Sequence, residues 1–203
     1  MDYYNFLRQL QSSITKNALL DVEQSDLMHG FAEKALVNLV QRFGVHPTDD
    51  LMNFYKEVGS FQMTWRLKNN DDVSHDIIWP TKPMGIINIL AIDEYIGHDE
   101  SYRIQLENND VLYYFDYYNS DSQEAVCLMS KEGVIQSNLF LYGLEIGLVD
   151  IKITIPEYIK QLIQSKGFAF WQRTLINPDG QYDAQVKYYI PQLFGTTNKT
   201  ADL

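Results

Sequence analysis

The sequence predicts an α+β fold, in which a mixed, mainly antiparallel sheet occupies the middle of the chain and helices precede and follow it. Apolar residues repeat every three to four positions up to residue 58, and they alternate with polar residues over 61–67. A capping box at Thr154–Glu157 then opens a second helical region. Helices, then strands, then helices are typical of α+β proteins.

Three helices are predicted before the sheet, each with an apolar stripe at helical spacing. The first spans residues 3–14. The second spans residues 26–43, is capped by Ser25 or Asp26, and ends at Gly44. The third begins at the N-cap Thr48 and ends at Gly59.

The middle of the chain contains the predicted strands, which cover 61–67, 86–92, 102–106, 111–118, 125–130 and 134–142. The strand at 86–92 is nearly continuous in apolar residues, which predicts burial on both faces. After the strands, a helix runs from the capping box to about Ser165, a short aromatic turn covers 168–175, and a last helix covers 182–194 and stops near Pro191.

The chain has 203 residues, which is long enough to bury a core without disulfides or metals. No internal repeat or linker divides it. We therefore predict one domain over residues 1–194, with 1–24 as an N-terminal helical extension and 195–203 as a flexible tail.

Charge is concentrated in one segment of this acidic protein. The chain has 27 acidic and 16 basic residues, a net charge of −11, and residues 69–130 hold 12 of the acids against only Lys82 and Arg103, a net −10. Such a deficit of basic residues excludes nucleic acid or an anionic membrane as the main partner. The local field would attract a basic protein, although a set of solvated acidic loops is the alternative.

Six tyrosines are interleaved with these acids, and four of them lie in the strand at 111–118. A regular strand would place its side chains on two alternating faces, which hold Val111, Tyr113, Phe115 and Tyr117, and Leu112, Tyr114, Asp116 and Tyr118. One interpretation is that helices cover both faces and the rings are core. The other is that Tyr117, Tyr118 and their acidic neighbours are exposed at the strand end and contact a partner. Tyr113 and Phe115 are expected in the core.

The sequence lacks the common motifs for catalysis and metal binding. None of the histidines, His29, His46, His75 and His98, is paired at i, i+4, and no nucleophile elbow or phosphate loop occurs. A general acid and base could still come from Asp116 with Asp121, or from Asp93 and Glu94 with Asp99 and Glu100. Adjacent carboxylates are common on loops, so we predict no catalytic residue, no metal and no cofactor.

The lone cysteine, Cys127, lies in an apolar run and is predicted to be a small core residue. The N-terminal residues show no secretory signal, and no stretch approaches the length of a membrane span. These observations predict a protein of the reducing cytosol.

The order of several short motifs resembles the SMI1/KNR4, or SUKH, superfamily over about residues 25–172. The resemblance rests on LMNFYKEVGSFQMTWRL (51–67), Trp79, GIINILAIDEYIG (85–97), Tyr114-Phe115-Asp116, 125–128 and SKGFAFWQ (165–172). It implies a SUKH-like fold with helices packed around a mixed sheet. It also implies that the residues corresponding to the fold-marking positions, Trp65, Trp79, Gly85 and Trp171, are structural.

The resemblance further implies a non-catalytic binding function, because bacterial members of that superfamily are mostly immunity proteins that neutralise toxins, often nucleases. A cytosolic regulatory or scaffold module of the same fold is an alternative, and a carboxylate-pair hydrolase is another. The expected partner is a toxin domain with a basic surface. The predicted contact residues are Asp71, Asp72, Asp76, Asp93, Glu94, Asp99, Glu100, Asp116, Tyr117, Tyr118 and Asp121.

Overall fold

The computed structural model describes residues 1–42, 44–68, 83–96 and 100–195. The first half contains α1 (Tyr3–Thr15), β1 (Leu20–His29), α2 (Glu33–Arg42), α3 (Asp49–Glu57), β2 (Val58–Leu67), β3 (Met84–Ile89), α4 (Ile92–Ile96) and β4 (Arg103–Gln105). The second half contains β5 (Val111–Asn119), β6 (Glu124–Lys131), β7 (Val134–Gly143), β8 (Gly147–Asp150), α5 (Ile155–Ser165) and α6 (Gln181–Phe194). Short 3-10 helices cover Glu100–Tyr102, Glu107–Asn109 and Trp171–Leu175.

The eight strands form one sheet with the order β1-β2-β3-β5-β6-β7-β8, and β4 pairs with β5 beside β3. Every strand pair is antiparallel among the described residues, and an isolated bridge between His46 and Val134 is parallel. The predicted α+β fold, with a mainly antiparallel central sheet between helices, is therefore confirmed.

Three of the helices cover one face of the sheet, which we call the inner face. A chain of ring contacts joins them: Tyr3 of α1 packs edge-on against Phe54 of α3, Phe54 against Phe115 of β5, and Phe115 against Tyr158 of α5. Rings at 5.3–6.0 Å in this orientation add to the stabilisation that burial provides. The opposite, or outer, face carries the alternate residues of the strands.

The helix ends follow the local sequence signals. Thr48 Oγ1 accepts a hydrogen bond from Leu51 N at the start of α3. At the start of α5, Thr154 N donates to Glu157 Oε2 at 2.7 Å, and Lys166 ends the helix in the left-handed conformation. These signals set the ends of the helices that form the inner layer.

The helix predicted over 26–43 is wrong in its first half, because residues 20–29 form the edge strand β1 and the helix begins only at Glu33. Leu20 is the one fully buried residue of β1, so the burial pattern of the strand carries little period-2 signal. Pairing with β2 along almost its whole length determines its conformation instead.

The observed elements also differ from the predicted ones in smaller ways. The third helix ends at Glu57, because Val58 already belongs to β2. Burial in β3 alternates, so that only the inner face is fully buried, and α6 continues past Pro191 to Phe194. Strand β8 was not predicted. The tail expected after Gly195 lies outside the described residues.

The segment after α5 completes the free edge of β3. Strands β3 and β5 pair only through Ile89 and Asp116. Nearer the start of β3, Ile86 N donates to Gly167 O at 2.8 Å and Ala169 N donates to Met84 O at 2.9 Å. Residues 167–169 therefore occupy the position of a further short strand.

A close contact between Gly85 and Trp65 holds this segment in place. A Cβ on Gly85 would lie 2.1 Å from Trp65 Nε1 and 2.7 Å from Gly167 O, so only glycine fits. Trp65 Nε1 donates to Lys166 O at 2.9 Å. Both Trp65 and Trp171 are buried, as their expected structural roles require, whereas Trp79 lies outside the described residues.

Candidate functional site

The predicted contact residues divide into three groups. Exposed side chains on short helices and turns are those of Asp93, Glu94, Glu100 and Asp121, and Tyr117 is half-buried. Asp116 and Tyr118 are buried, with 0% and 3% of their surface exposed. Asp71, Asp72, Asp76 and Asp99 lie outside the described residues.

The expected exposure of Asp116 and Tyr118 is therefore wrong, and a β-bulge explains why. The register of β5 against β6 shifts between Tyr114 and Asp116, which leaves Phe115 as the extra residue. Phe115 and Asp116 consequently both face the inner side, and the alternation of faces changes phase. Tyr114 and Tyr117 then share the outer face, where their ring centroids are 5.0 Å apart.

Asp116 is the centre of a buried hydrogen-bond network at the junction of β3 and β5. Its Oδ1 accepts from Asn88 N at 2.9 Å, and its Oδ2 accepts from Tyr158 Oη and, at 3.2 Å, from Gln172 Nε2. Burial raises the pKa of Asp116 above its ordinary value, although all three donors oppose that shift. The network substitutes for backbone pairing where the two strands separate.

Glu124, the first residue of β6, is the centre of a second buried network. Arg173 contacts both carboxylate oxygens in a bidentate ion pair, and its Nε lies 3.0 Å from Oε2. Tyr118 Oη and Ser122 Oγ donate to the same carboxylate at 3.0 and 2.7 Å. Burial acts to raise the pKa of Glu124, but Arg173 and the hydroxyl donors hold it below its ordinary value.

Neither network has a local signal in the sequence. Their members come from a strand, a hairpin, α5 and the 3-10 helix that follows it, and the Arg173–Glu124 contact spans 49 positions. Asp116 and Asp121 were considered as a general acid and base. Asp116 is buried, whereas Asp121 is exposed on the β5–β6 turn. Glu94 accepts from Ala91 N at 3.0 Å and so caps α4.

A groove of ≈ 380 Å³ lies on the outer face over β1, β2, β3 and β5. Its lining consists of Gln24, Gln62, Thr64, Ile86, Ile87, Asn88, Tyr102, Tyr117, Tyr118 and Ser120. We call this the outer-face groove. The strand register brings several of these together, because Gln62 is paired with Asn88, and Thr64 with both Gln24 and Ile86.

Hydrogen bonds orient the polar side chains of the groove. Gln24 Nε2 donates to Gln62 Oε1 at 2.6 Å, which joins β1 to β2. Asn88 Nδ2 donates to Tyr117 O at 2.9 Å, which bridges β3 and β5 beyond the point where their backbones separate. The groove is therefore a pre-organised surface of amide, hydroxyl and aromatic groups.

A row of aromatic rings extends from the groove across the outer face. Tyr102 packs edge-on against Tyr117 at 6.0 Å, Tyr117 lies 5.0 Å from Tyr114, and Tyr114 lies 6.4 Å from Tyr142. Leu148, paired with Tyr142 in β8, is 40% exposed and continues the row. Tyr114 is buried, whereas Tyr102, Tyr117 and Tyr142 are partly accessible, and large side chains that remain partly accessible on one face are typical of protein-binding surfaces.

A larger cleft, of ≈ 730 Å³, lies between the helices α1, α3 and α5. Its lining has both signs of charge, with Asp2, Asp50 and Glu57 beside Lys56 and Lys160. The mixture gives this cleft no net preference for one kind of charged ligand.

The described parts of the chain contain neither a metal-binding cluster nor a membrane-spanning helix. Within residues 1–42, 44–68, 83–96 and 100–195, no three His, Cys, Asp or Glu side chains are grouped to hold a metal ion. None of the helices in the same ranges has the length and apolar character that a membrane crossing needs.

The chain matches no protein-family model, no curated protein and no solved structure.

Proposed function

We propose that this protein binds another protein through the outer face of its sheet, without catalysis. The observation that carries the proposal is the outer-face groove together with the aromatic row beside it, which is partly accessible and is bordered by exposed carboxylates. Tyrosine suits such a surface, because it gives a large contact area at a small cost in side-chain entropy.

Within that class, we favour a cytosolic immunity protein that neutralises a cognate toxin by direct binding. The sequence resemblance to SUKH proteins supports this choice, as does the acidity of residues 69–130. A nuclease toxin needs a basic surface to hold phosphates, and an acidic protein can occupy such a surface by charge complementarity. Of the contact residues expected from the sequence, Tyr117 and Tyr118 line the outer-face groove, and Asp121 is an exposed carboxylate close to Tyr117. Asp116 is buried in its own network, and the exposed Glu100 lines a separate pocket with Arg103.

Co-expression with the toxin domain encoded by the neighbouring gene tests the proposal. We expect growth to be rescued and the two proteins to elute together from a sizing column. Replacing Glu100 and Asp121 with Gln and Asn should slow association, mainly at low salt, because exposed charges steer the encounter.

Asp179→Asn is the matched control, since Asp179 is also an exposed carboxylate but lies on the turn before α6. It should leave the association rate unchanged. Failure to rescue growth, together with the absence of a complex, would overturn the immunity function. A housekeeping regulatory module would instead form a stable complex with a partner that is not toxic.

A further inference from the structure

We propose that the outer-face groove is the subsite for one arginine side chain of the protein partner. The inference rests on the proposed binding function and specifies the chemistry of its central contact. Ligand pockets usually span roughly 300–1,000 Å³. The groove, at ≈ 380 Å³, is at the small end of that range and suits a single side chain better than a folded element.

Two tyrosine rings provide the aromatic part of the subsite. Tyr102 and Tyr117 are both half-buried, and their planes meet at 71°. Tyr114 supports the ring of Tyr117 at a centroid distance of 5.0 Å, which limits its motion. A guanidinium group can stack on an aromatic face and is more weakly hydrated than an ammonium group, so it is the cation that such a site favours.

The polar lining matches the donors of the same group. Arginine presents five N–H donors and no acceptor, and it therefore needs oxygen atoms around it. The side chains of Gln62, Thr64, Asn88 and Ser120 each carry an amide or hydroxyl oxygen in the lining. No lysine or arginine is among the described residues that line the groove.

The charges around the groove also favour a cation. Asp26 accepts a hydrogen bond from Gln24 Nε2 at 3.5 Å. Burial raises the pKa of Tyr117, and the nearby Tyr102 and the carboxylate of Asp121 add to this rise. Both carboxylates are exposed, and in the described ranges neither forms an ion pair.

Two arginines are close in sequence to lining residues, and both are paired with carboxylates. Arg66 pairs with Glu23 at 3.1 Å, and Arg103 pairs with Glu100 at 2.7 Å. The ion pairs offset both cations, whereas Asp26 and Asp121 are unpaired among the described residues, and this excess of negative charge favours a positively charged side chain.

The test uses the full chain labelled with ¹⁵N and the peptide Ac-Gly-Arg-Gly-NH₂ as the probe, with no toxin present. We expect saturable shifts of the side-chain NH₂ signals of Asn88 and Gln24 at millimolar peptide. The matched peptide with citrulline, which keeps the shape of arginine but lacks its charge, should bind at least about fivefold more weakly. The lysine peptide should bind more weakly than the arginine peptide.

Variants then separate the two contributions. Tyr117→Leu should weaken arginine-peptide binding by about threefold to tenfold, whereas Tyr117→Phe should retain it, because the phenylalanine ring still stacks. Asp121→Asn should weaken it by about threefold at low salt, and the Asp179→Asn control should not. Asp121 is exposed, so its replacement tests the subsite even if a change at Tyr117 disturbs folding.

Equal binding of the arginine and citrulline peptides, or shifts confined to residues outside the groove, would overturn the subsite. No saturable shift at all would overturn it as well. These outcomes are independent of the toxin experiment: a complex with the toxin that tolerates Tyr117→Leu would remove the arginine subsite and leave the binding function in place.

Discussion

Replacing Arg173 with methionine should destabilise the protein more than removing the charged group from any other ion pair among the described residues. Arg173 holds the carboxylate of Glu124, whose surface is 0% exposed. Methionine retains much of the aliphatic volume but leaves that carboxylate without its counter-charge. Breaking a buried ion pair by removing one partner typically costs about 3–5 kcal/mol.

The cost should lie within that range and not above it, for a structural reason. Tyr118 and Ser122 would still donate hydrogen bonds to Glu124, and these offset part of the loss. The converse change, Glu124→Gln, should cost less, about 1–3 kcal/mol, because the side chain of Arg173 is 22% exposed and can be partly hydrated. The double variant should then be more stable than the sum of the single losses predicts.

Urea unfolding at neutral and at mildly acidic pH measures these free energies. In the native protein the pKa of Glu124 is lowered, so its contribution is present above the pKa of the unfolded chain and is lost as the pH falls through the folded value. Without Arg173, burial would raise that pKa, and protonation would then remove the unpaired charge. The cost of Arg173→Met should therefore shrink as the pH falls.

Lys187→Met is the control, because Lys187 pairs with Asp183 on the exposed side of α6. It should leave stability almost unchanged, as expected for a surface pair. An effect of Arg173→Met no larger than that of this control would refute the reasoning. Strict additivity in the double variant, or a cost independent of pH, would refute it too.

Three further outcomes are expected. Burial raises the pKa of Asp116 in the folded protein. In urea unfolding at a series of pH values, the stability of the native protein relative to Asp116→Asn should therefore fall as the pH rises. This pH dependence has the opposite sign to that of Glu124. Gly85→Ala should destabilise by at least about 1–3 kcal/mol in the same assay, because the added Cβ would overlap Trp65. Cys127, which is fully buried and whose pKa is raised by burial, should resist a thiol reagent in the native protein and react once urea unfolds it.

Much of the fold could be predicted where the local signal and the tertiary role agree. Phe61, Met63 and Trp65 alternate in sequence and are all fully buried in β2. The capping box at Thr154 marks the start of α5 to within one residue. In these elements the apolar period and the capping chemistry are sufficient, because both are read from neighbouring residues.

The failures occurred where the structure depends on residues distant in sequence. β1 is a strand because β2 pairs with it, and its own residues are mostly polar and exposed. For Asp116, a single bulge at Phe115 changed the face of the side chain, and a strict period of two cannot anticipate that change. The outer-face groove was missed for a related reason, since Gln24, Asn88 and Tyr117 meet only through strand register.

The contact between Trp65 and the segment after α5 bears on how the chain folds during synthesis. Residues 167–169 pair with the first half of β3, so a ribosome must synthesise at least 169 of the 203 residues before that part of β3 has a neighbour opposite β2. Until then, nascent chains would present an apolar strand edge to one another, which favours aggregation. Pairing over such a sequence distance also slows folding. The pairing of residues 167–169 with β3, which the Trp65–Lys166 hydrogen bond holds in place, thus makes completion of the central sheet a late event in translation.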